Sequence, residues 1–185
     1  MYQITEWCHH FIKEHVQPGD FCIDATMGNG YDTKLLCQLV GTKGHVLAFD
    51  IQTLALENTE KRLQEAKIPD NYRLILDSHS RMNQYANANS VDCIIFNFGY
   101  LPGGDHSLAT KAATSITAMG HGLNLLKKGG LMSLCIYSGG DSGFEERDVL
   151  LTYLKELDPK KYLVILSSYY NRPKNPPIPV LIRKL

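Results

Sequence analysis

The sequence predicts an α/β fold: a seven-stranded, mostly parallel sheet with an antiparallel last strand and helices on both faces. Three observations predict it. From residue 21 to residue 157, apolar strand-like runs alternate with helical patterns, which builds parallel strands joined by crossover helices. The last two strand-like runs, 162–169 and 178–183, are joined by Asn171-Arg-Pro-Lys-Asn-Pro-Pro-Ile-Pro179, where the prolines exclude a helix. Two strands joined without a crossover must run antiparallel. Finally, a chain of 185 residues, 44% apolar and 21% charged, suffices for one sizeable core.

The elements follow in order. Ile4, Trp7, Cys8, Phe11, Ile12 and His15 recur on one helical face, so residues 1–17 hold an N-terminal helix that stops before Pro18-Gly19. A strand at 21–26 leads through a glycine turn into a helix at 32–40. Strands follow at 45–50, 72–77, 91–97 and 131–137, with helices at 53–66, 108–126 and 144–157. Ser142-Gly-Phe-Glu145 has the capping-box pattern and would start the last helix. No repeat or linker interrupts the series, so 1–185 is expected to form one domain. A parallel sheet ending in an antiparallel hairpin is the layout of the class I (Rossmann-like) methyltransferases; the ordinary dinucleotide-binding fold lacks that ending.

Composition removes several classes of function. No apolar run reaches 18 residues, so no membrane span is expected. The N-terminus lacks the charged and apolar regions of a signal peptide. Five cysteines, odd in number and far apart, read as buried thiols of a reducing, cytoplasmic protein. His9, His10 and His15 do not pair at i, i+4 and lack a carboxylate motif, so no metal is expected. A net charge of +0 argues against non-specific binding of long nucleic acid, but admits one folded RNA held by a local patch. Whether the protein is a homodimer stays open.

The densest chemistry lies in Asp24-Ala-Thr-Met-Gly-Asn-Gly-Tyr-Asp-Thr33. Gly28 and Gly30 permit a tight turn and close approach of a ligand, and the following helix aims its free N–H groups there. Asp50 ends the second strand 20 residues after Gly30, where a carboxylate can accept both hydroxyls of an adenosine ribose. That spacing alone leaves NAD and S-adenosylmethionine open. Two details favour the second. Thr33 stands where the dinucleotide fingerprint has its third glycine or alanine, and would pack less closely. Asp24 would repel a pyrophosphate and attract an ammonium and a sulfonium. Candidate cofactor-binding residues are therefore Asp24, Thr26, Gly28, Asn29, Gly30, Asp32, Asp50 and Gln52. Asp77, Ser78 and His79, at the end of the third strand, join them on the adenine side.

The fourth strand ends Asn97-Phe-Gly-Tyr-Leu-Pro-Gly-Gly-Asp-His106, at the carboxyl edge where open α/β sheets bind ligands. This loop resembles the Asn-Pro-Pro-Tyr motif of N-methyltransferases, with both prolines replaced, by Phe98 and Gly99. Methyl transfer to an amine is an in-line displacement governed by positioning. Asn97 can accept an amine hydrogen and aim the lone pair, and Tyr100 can stack on a base. Asp105 or His106 could take the proton of an ammonium substrate, or His106-Ser107 could simply start the next helix.

With these stretches and Asn175-Pro-Pro177, the chain resembles the YtqB-type RNA methylases, also described as MnmM tRNA methyltransferases. The resemblance covers most of the chain, and Gly99-Tyr-Leu-Pro-Gly-Gly-Asp105 is its most specific part. It implies an S-adenosylmethionine-dependent N-methyltransferase acting on the wobble uridine of a tRNA anticodon stem-loop. The reaction implied converts 5-aminomethyl-2-thiouridine to 5-methylaminomethyl-2-thiouridine. Alternatives are another RNA such as rRNA, a small-molecule amine, or a non-catalytic nucleotide-binding module. Arg81, Lys111, Arg172 and Lys174 are the candidate RNA-binding rim. Tyr169 and Tyr170 are candidate stacking residues, though strand tyrosines more often pack.

Overall fold

Strands β1 (Phe21–Asp24), β2 (His45–Asp50), β3 (Tyr72–Leu76), β4 (Val91–Phe98), β5 (Leu126–Ile136), β6 (Tyr162–Leu166) and β7 (Ile178–Lys184) form one seven-stranded sheet. Helices α1 (Ile4–His15), α2 (Tyr31–Val40), α3 (Thr53–Glu65), α4 (Ala112–Leu125) and α5 (Gly140–Lys155) accompany it. The computed structural model describes residues 4–99, 110–137, 140–173 and 175–185, and only the backbone of 140–143. Strand order is β3-β2-β1-β4-β5-β7-β6. The pairs from β3 to β5 are parallel. β7 slots antiparallel between β5 and β6, as the proline-rich connection requires.

Alternate residues of each strand point to opposite faces, so a strand buried on both faces reads as an unbroken apolar run. Cys93 and Ile95 of β4 pack with Cys8, Ile12, Leu36, Val40 and Leu63, contributed by α1, α2 and α3. Ile94 and Phe96 point the other way, into Met119, Leu123, Leu150 and Leu154 of α4 and α5. All five cysteines are buried and free. Burial pushes the Cys37 thiol up to about 12, and such a thiol is a poor nucleophile. No helix among the described residues is long and apolar enough to cross a membrane.

Several bounds differ from the sequence expectation, each for a physical reason. β1 stops at Asp24: the Ala25 N–H makes the last ladder bond to β4, at the Ile95 carbonyl, and Met27 N–H then reaches the Phe49 carbonyl of β2. β5 begins at Leu126: the register jumps from Val91↔Leu126 to Cys93↔Leu131, so Lys127 to Gly130 bulge out of a strand already begun. α5 starts at Gly140, which puts Ser142 inside the helix and overturns its capping role. β6 ends at Leu166, so Tyr169 and Tyr170 lie beyond the strand, and Tyr170 is fully exposed.

The chain runs outward from β1 to β3, then returns to β4 and continues to the other edge. The carboxyl ends of β1 and β4 therefore flank the point where the winding reverses, and a crevice opens there. β7 starts beside Ile136 at the end of β5, so the 171–177 connection lies on this same edge.

Candidate active site

The turn after β1 is built around a buried acid. Asp24 has no exposed surface and accepts hydrogen bonds from the Thr33 hydroxyl at 2.6 Å and the Thr26 N–H at 3.2 Å. Burial, then the nearby Asp32 charge, pushes its carboxyl up to about 7. Thr33 is wholly buried and replaces a glycine because its hydroxyl serves this carboxylate. Gly30 caps α2 with φ 77, in the left-handed region. A Cβ there would meet Thr59 Oγ1 at 2.8 Å and Thr59 Cα at 2.9 Å, so this glycine lets α3 pack on the turn.

Above the turn lies a cleft of about 880 Å³. Of the residues singled out in the sequence, Thr26, Gly28, Asn29, Asp32, Asp50, Gln52, Asp77, Ser78, His79, Asn97 and Lys111 line it. Asp24 and Gly30 do not; they build the turn from beneath. Tyr100, Asp105, His106 and Lys174 lie outside the described residues. Arg81 and Arg172 stand off the cleft wall. Arg81 lies 3.5 Å from Asp77, and the Arg172 guanidinium sits 4.5 Å from the Tyr169 ring centre.

Asp50 accepts from Gly28 N–H at 3.1 Å and Gln52 N–H at 3.0 Å, which ties the ends of β1 and β2 together. Burial raises its pKa, and those N–H groups oppose the rise. Each carboxylate oxygen keeps a further lone pair for a ligand. Asp77 accepts from the Tyr85 hydroxyl at 2.8 Å, which lowers its pKa. Beside it, His79 is pushed down to about 4 by burial, so its ring is neutral. Its Nε2 is buried with no hydrogen-bond partner among the described residues.

At the end of β4 the cleft is lined by a three-residue network. Asn97, at the end of β4, donates from its amide nitrogen to Asp32 Oδ2 at 2.6 Å. His9, on α1, places Nε2 2.5 Å from Asp32 Oδ1. The Asn97 backbone N–H donates to Thr26 Oγ1 at 2.7 Å. Gly99 and Thr110 close the neck of the intervening loop: Gly99 N–H donates to Thr110 Oγ1, which donates to buried Glu146 at 2.7 Å.

Sequence reasoning missed Thr5, Glu6 and His9, which line the cleft from α1, along with Tyr31, Thr110 and Tyr137. A signal existed for the first group. Thr5 and His9, at i and i+4, form a polar stripe flanking the buried Ile4, Cys8 and Ile12. What the stripe faced was not readable, since α1 packs on β5, far along the chain.

Comparison with known proteins gives consistent results. The family model described as "Putative rRNA methylase" matches residues 46–183. A chloroplastic tRNA (mnm(5)s(2)U34)-methyltransferase of Arabidopsis thaliana is 34% identical over 97% of this chain and 69% of its own. A Clostridium thermocellum structure described as a "putative rRNA-methylase" is 42% identical with a TM-score of 0.96, covering 100% of this chain and 99% of its own. A "putative methyltransferase" from Streptococcus mutans, solved in complex with SAH, is 37% identical with a TM-score of 0.89 over 100% of this chain and 99% of its own.

Proposed function

The chain belongs to the rRNA methylase family and is an S-adenosylmethionine-dependent methyltransferase, and from that premise we propose that it methylates the wobble uridine of tRNA. The acceptor is the aminomethyl group of 5-aminomethyl-2-thiouridine, and the product is 5-methylaminomethyl-2-thiouridine. The observation that carries this reading is the Asn97 amide, whose nitrogen is committed to Asp32 inside the cleft. That leaves the amide oxygen to accept an amine hydrogen, as methylation of nitrogen requires. Sequence kinship with the Arabidopsis tRNA enzyme supports the choice of RNA.

When bound, S-adenosylmethionine supplies a methyl group made electrophilic by its sulfonium sulfur. The residues present suit it. Asp32, Asp50 and Asp77 give the cleft a negative lining that favours a cationic ligand. In this reading Asp50 takes the ribose hydroxyls, and Asp77 with Ser78 and His79 holds the adenine edge. Gly28, Asn29 and the start of α2 cradle the methionine end. Asn97 then orients the acceptor amine in line with the methyl carbon. Lys111 on the cleft wall is the described cation of the phosphate-contacting rim, for which Arg81, Arg172 and Lys174 are the further candidates. The enzyme acts in the cytoplasm.

Mass spectrometry of tRNA nucleosides from cells lacking the gene tests the assignment. Accumulation of 5-aminomethyl-2-thiouridine is expected, and a gene carrying Asn97→Ala should fail to reverse it. An unchanged wobble profile would contradict the substrate. A small-molecule amine as the true acceptor would instead leave the protein unable to retain tRNA.

A further inference from the structure

We propose that His9, held by Asp32, is the group that accepts the proton of the acceptor amine. The inference rests on the reading of an aminomethyl acceptor and adds the step that reading lacks. An aliphatic amine is an ammonium at neutral pH, with no lone pair to attack a methyl carbon. One N–H bond must break before the N–C bond can form.

Three side chains from three elements meet at one carboxylate. Asp32 of α2 gives Oδ1 to His9 of α1 at 2.5 Å and Oδ2 to Asn97 of β4 at 2.6 Å. Both oxygens being committed, Asp32 acts as a positioning residue. Donation from His9 Nε2 fixes the tautomer, which leaves Nδ1 with the lone pair. A carboxylate behind an imidazole also stabilises the imidazolium that forms when the proton arrives. His9 and Asn97 flank the same carboxylate and line the same cleft, and in this proposal the amine sits between the Asn97 amide oxygen and the imidazole. The His9 side chain is 23% exposed, which gives the proton a way out to solvent.

The other groups in the cleft serve less well. Asp50 is engaged by two backbone N–H groups, and Asp77 by Tyr85 and Arg81. His79 is buried and pushed down to about 4, too weak a base. Among the described residues, Glu6 and Cys8 on α1, Tyr31 on α2, Asp24 beneath the turn, Cys135 and Tyr137 at the end of β5, and Lys111 before α4 are the other titratable groups around it; Asp105 and His106 lie outside the described residues. Burial raises the Tyr137 hydroxyl and holds it neutral.

The step balances. The ammonium N–H bond breaks and its proton moves to His9 Nδ1, giving a neutral amine and an imidazolium. The amine lone pair forms the N–C bond while the C–S pair leaves with sulfur. The methylated ammonium departs, and His9 releases its proton to solvent.

The test measures methyl transfer to tRNA carrying 5-aminomethyl-2-thiouridine, from mildly acidic to strongly alkaline pH, in the parent, His9→Gln and His9→Ala. S-adenosylmethionine binding is followed by calorimetry alongside. At neutral pH His9→Gln should lose about 100-fold in rate while still binding S-adenosylmethionine. The deficit should close as rising pH supplies free amine, and added imidazole should restore His9→Ala. A variant with the parental rate and profile, or a deficit that neither alkali nor imidazole relieves, overturns the proposal. A parent that binds S-adenosylmethionine yet leaves this tRNA unmethylated overturns the substrate reading and the proposal with it.

Discussion

Asp24 is a carboxylate with no exposed surface, beneath the glycine turn and close to the charges of Asp32 and Asp50. Its bonds to Thr33 and Thr26 fix the turn, and its burial costs stability whenever it is ionised. The sign follows from linkage. The folded value of about 7 lies above the ordinary 3.8, so folding takes up a proton between them. The contribution favouring the folded state is full below about 3.8 and is lost as pH rises to about 7. Asp24→Asn keeps the size without the charge: its one amide oxygen can accept from the Thr26 N–H while its nitrogen donates to the Thr33 hydroxyl. Its unfolding free energy should match the parent's in acid and exceed it above neutral pH, by an amount on the order of a few kcal/mol. A difference that does not vary with pH would contradict this account. The sequence drew attention to Asp24 but read it as a group facing the ligand. Spacing along a chain does not reveal that Thr33 folds back over it.

The elements themselves were largely legible, because hydrophobic period and proline placement are local signals. β2 matches its expected span, and the antiparallel β7 follows from the prolines before it. Signals that depend on a partner strand were not legible. The Lys127-Lys-Gly-Gly130 segment looks like a turn, and only the register against β4 makes it a bulge. α1 was read correctly as a helix, while its share of the active site was not, since packing on β5 is a tertiary matter. The contact between the glycine turn and α3 gives a test at this scale. Gly30→Ala puts a Cβ against Thr59 at a φ of 77. Denaturant unfolding should show a loss of about 1–3 kcal/mol, with weaker S-adenosylmethionine binding. Parental stability would show that α3 yields easily and that the turn is not fixed by this contact.

At the scale of the whole molecule, one sheet gathers everything at its carboxyl edge. The reversal of winding between β1 and β4 opens the cleft, and strand ends line it with acids. A chain of net charge +0 has no bulk attraction for RNA, so the proposed tRNA reading requires a local patch of cations. Asp50 and Asp77 were readable as cleft residues because each stands where a strand ends at the carboxyl edge. Asn97 was readable from the end of β4, whereas His9, which meets the same Asp32 carboxylate, comes from α1 and was not. The central claim is methyl transfer to an aliphatic amine on a wobble uridine. It is tested most directly by incubating the purified protein with labelled S-adenosylmethionine and an anticodon stem-loop RNA carrying 5-aminomethyl-2-thiouridine, then identifying the labelled nucleoside. The account predicts label in 5-methylaminomethyl-2-thiouridine, and none in a matched RNA whose wobble uridine lacks the aminomethyl group. An unlabelled RNA from protein that binds S-adenosylmethionine, or label appearing on both RNAs alike, would contradict it.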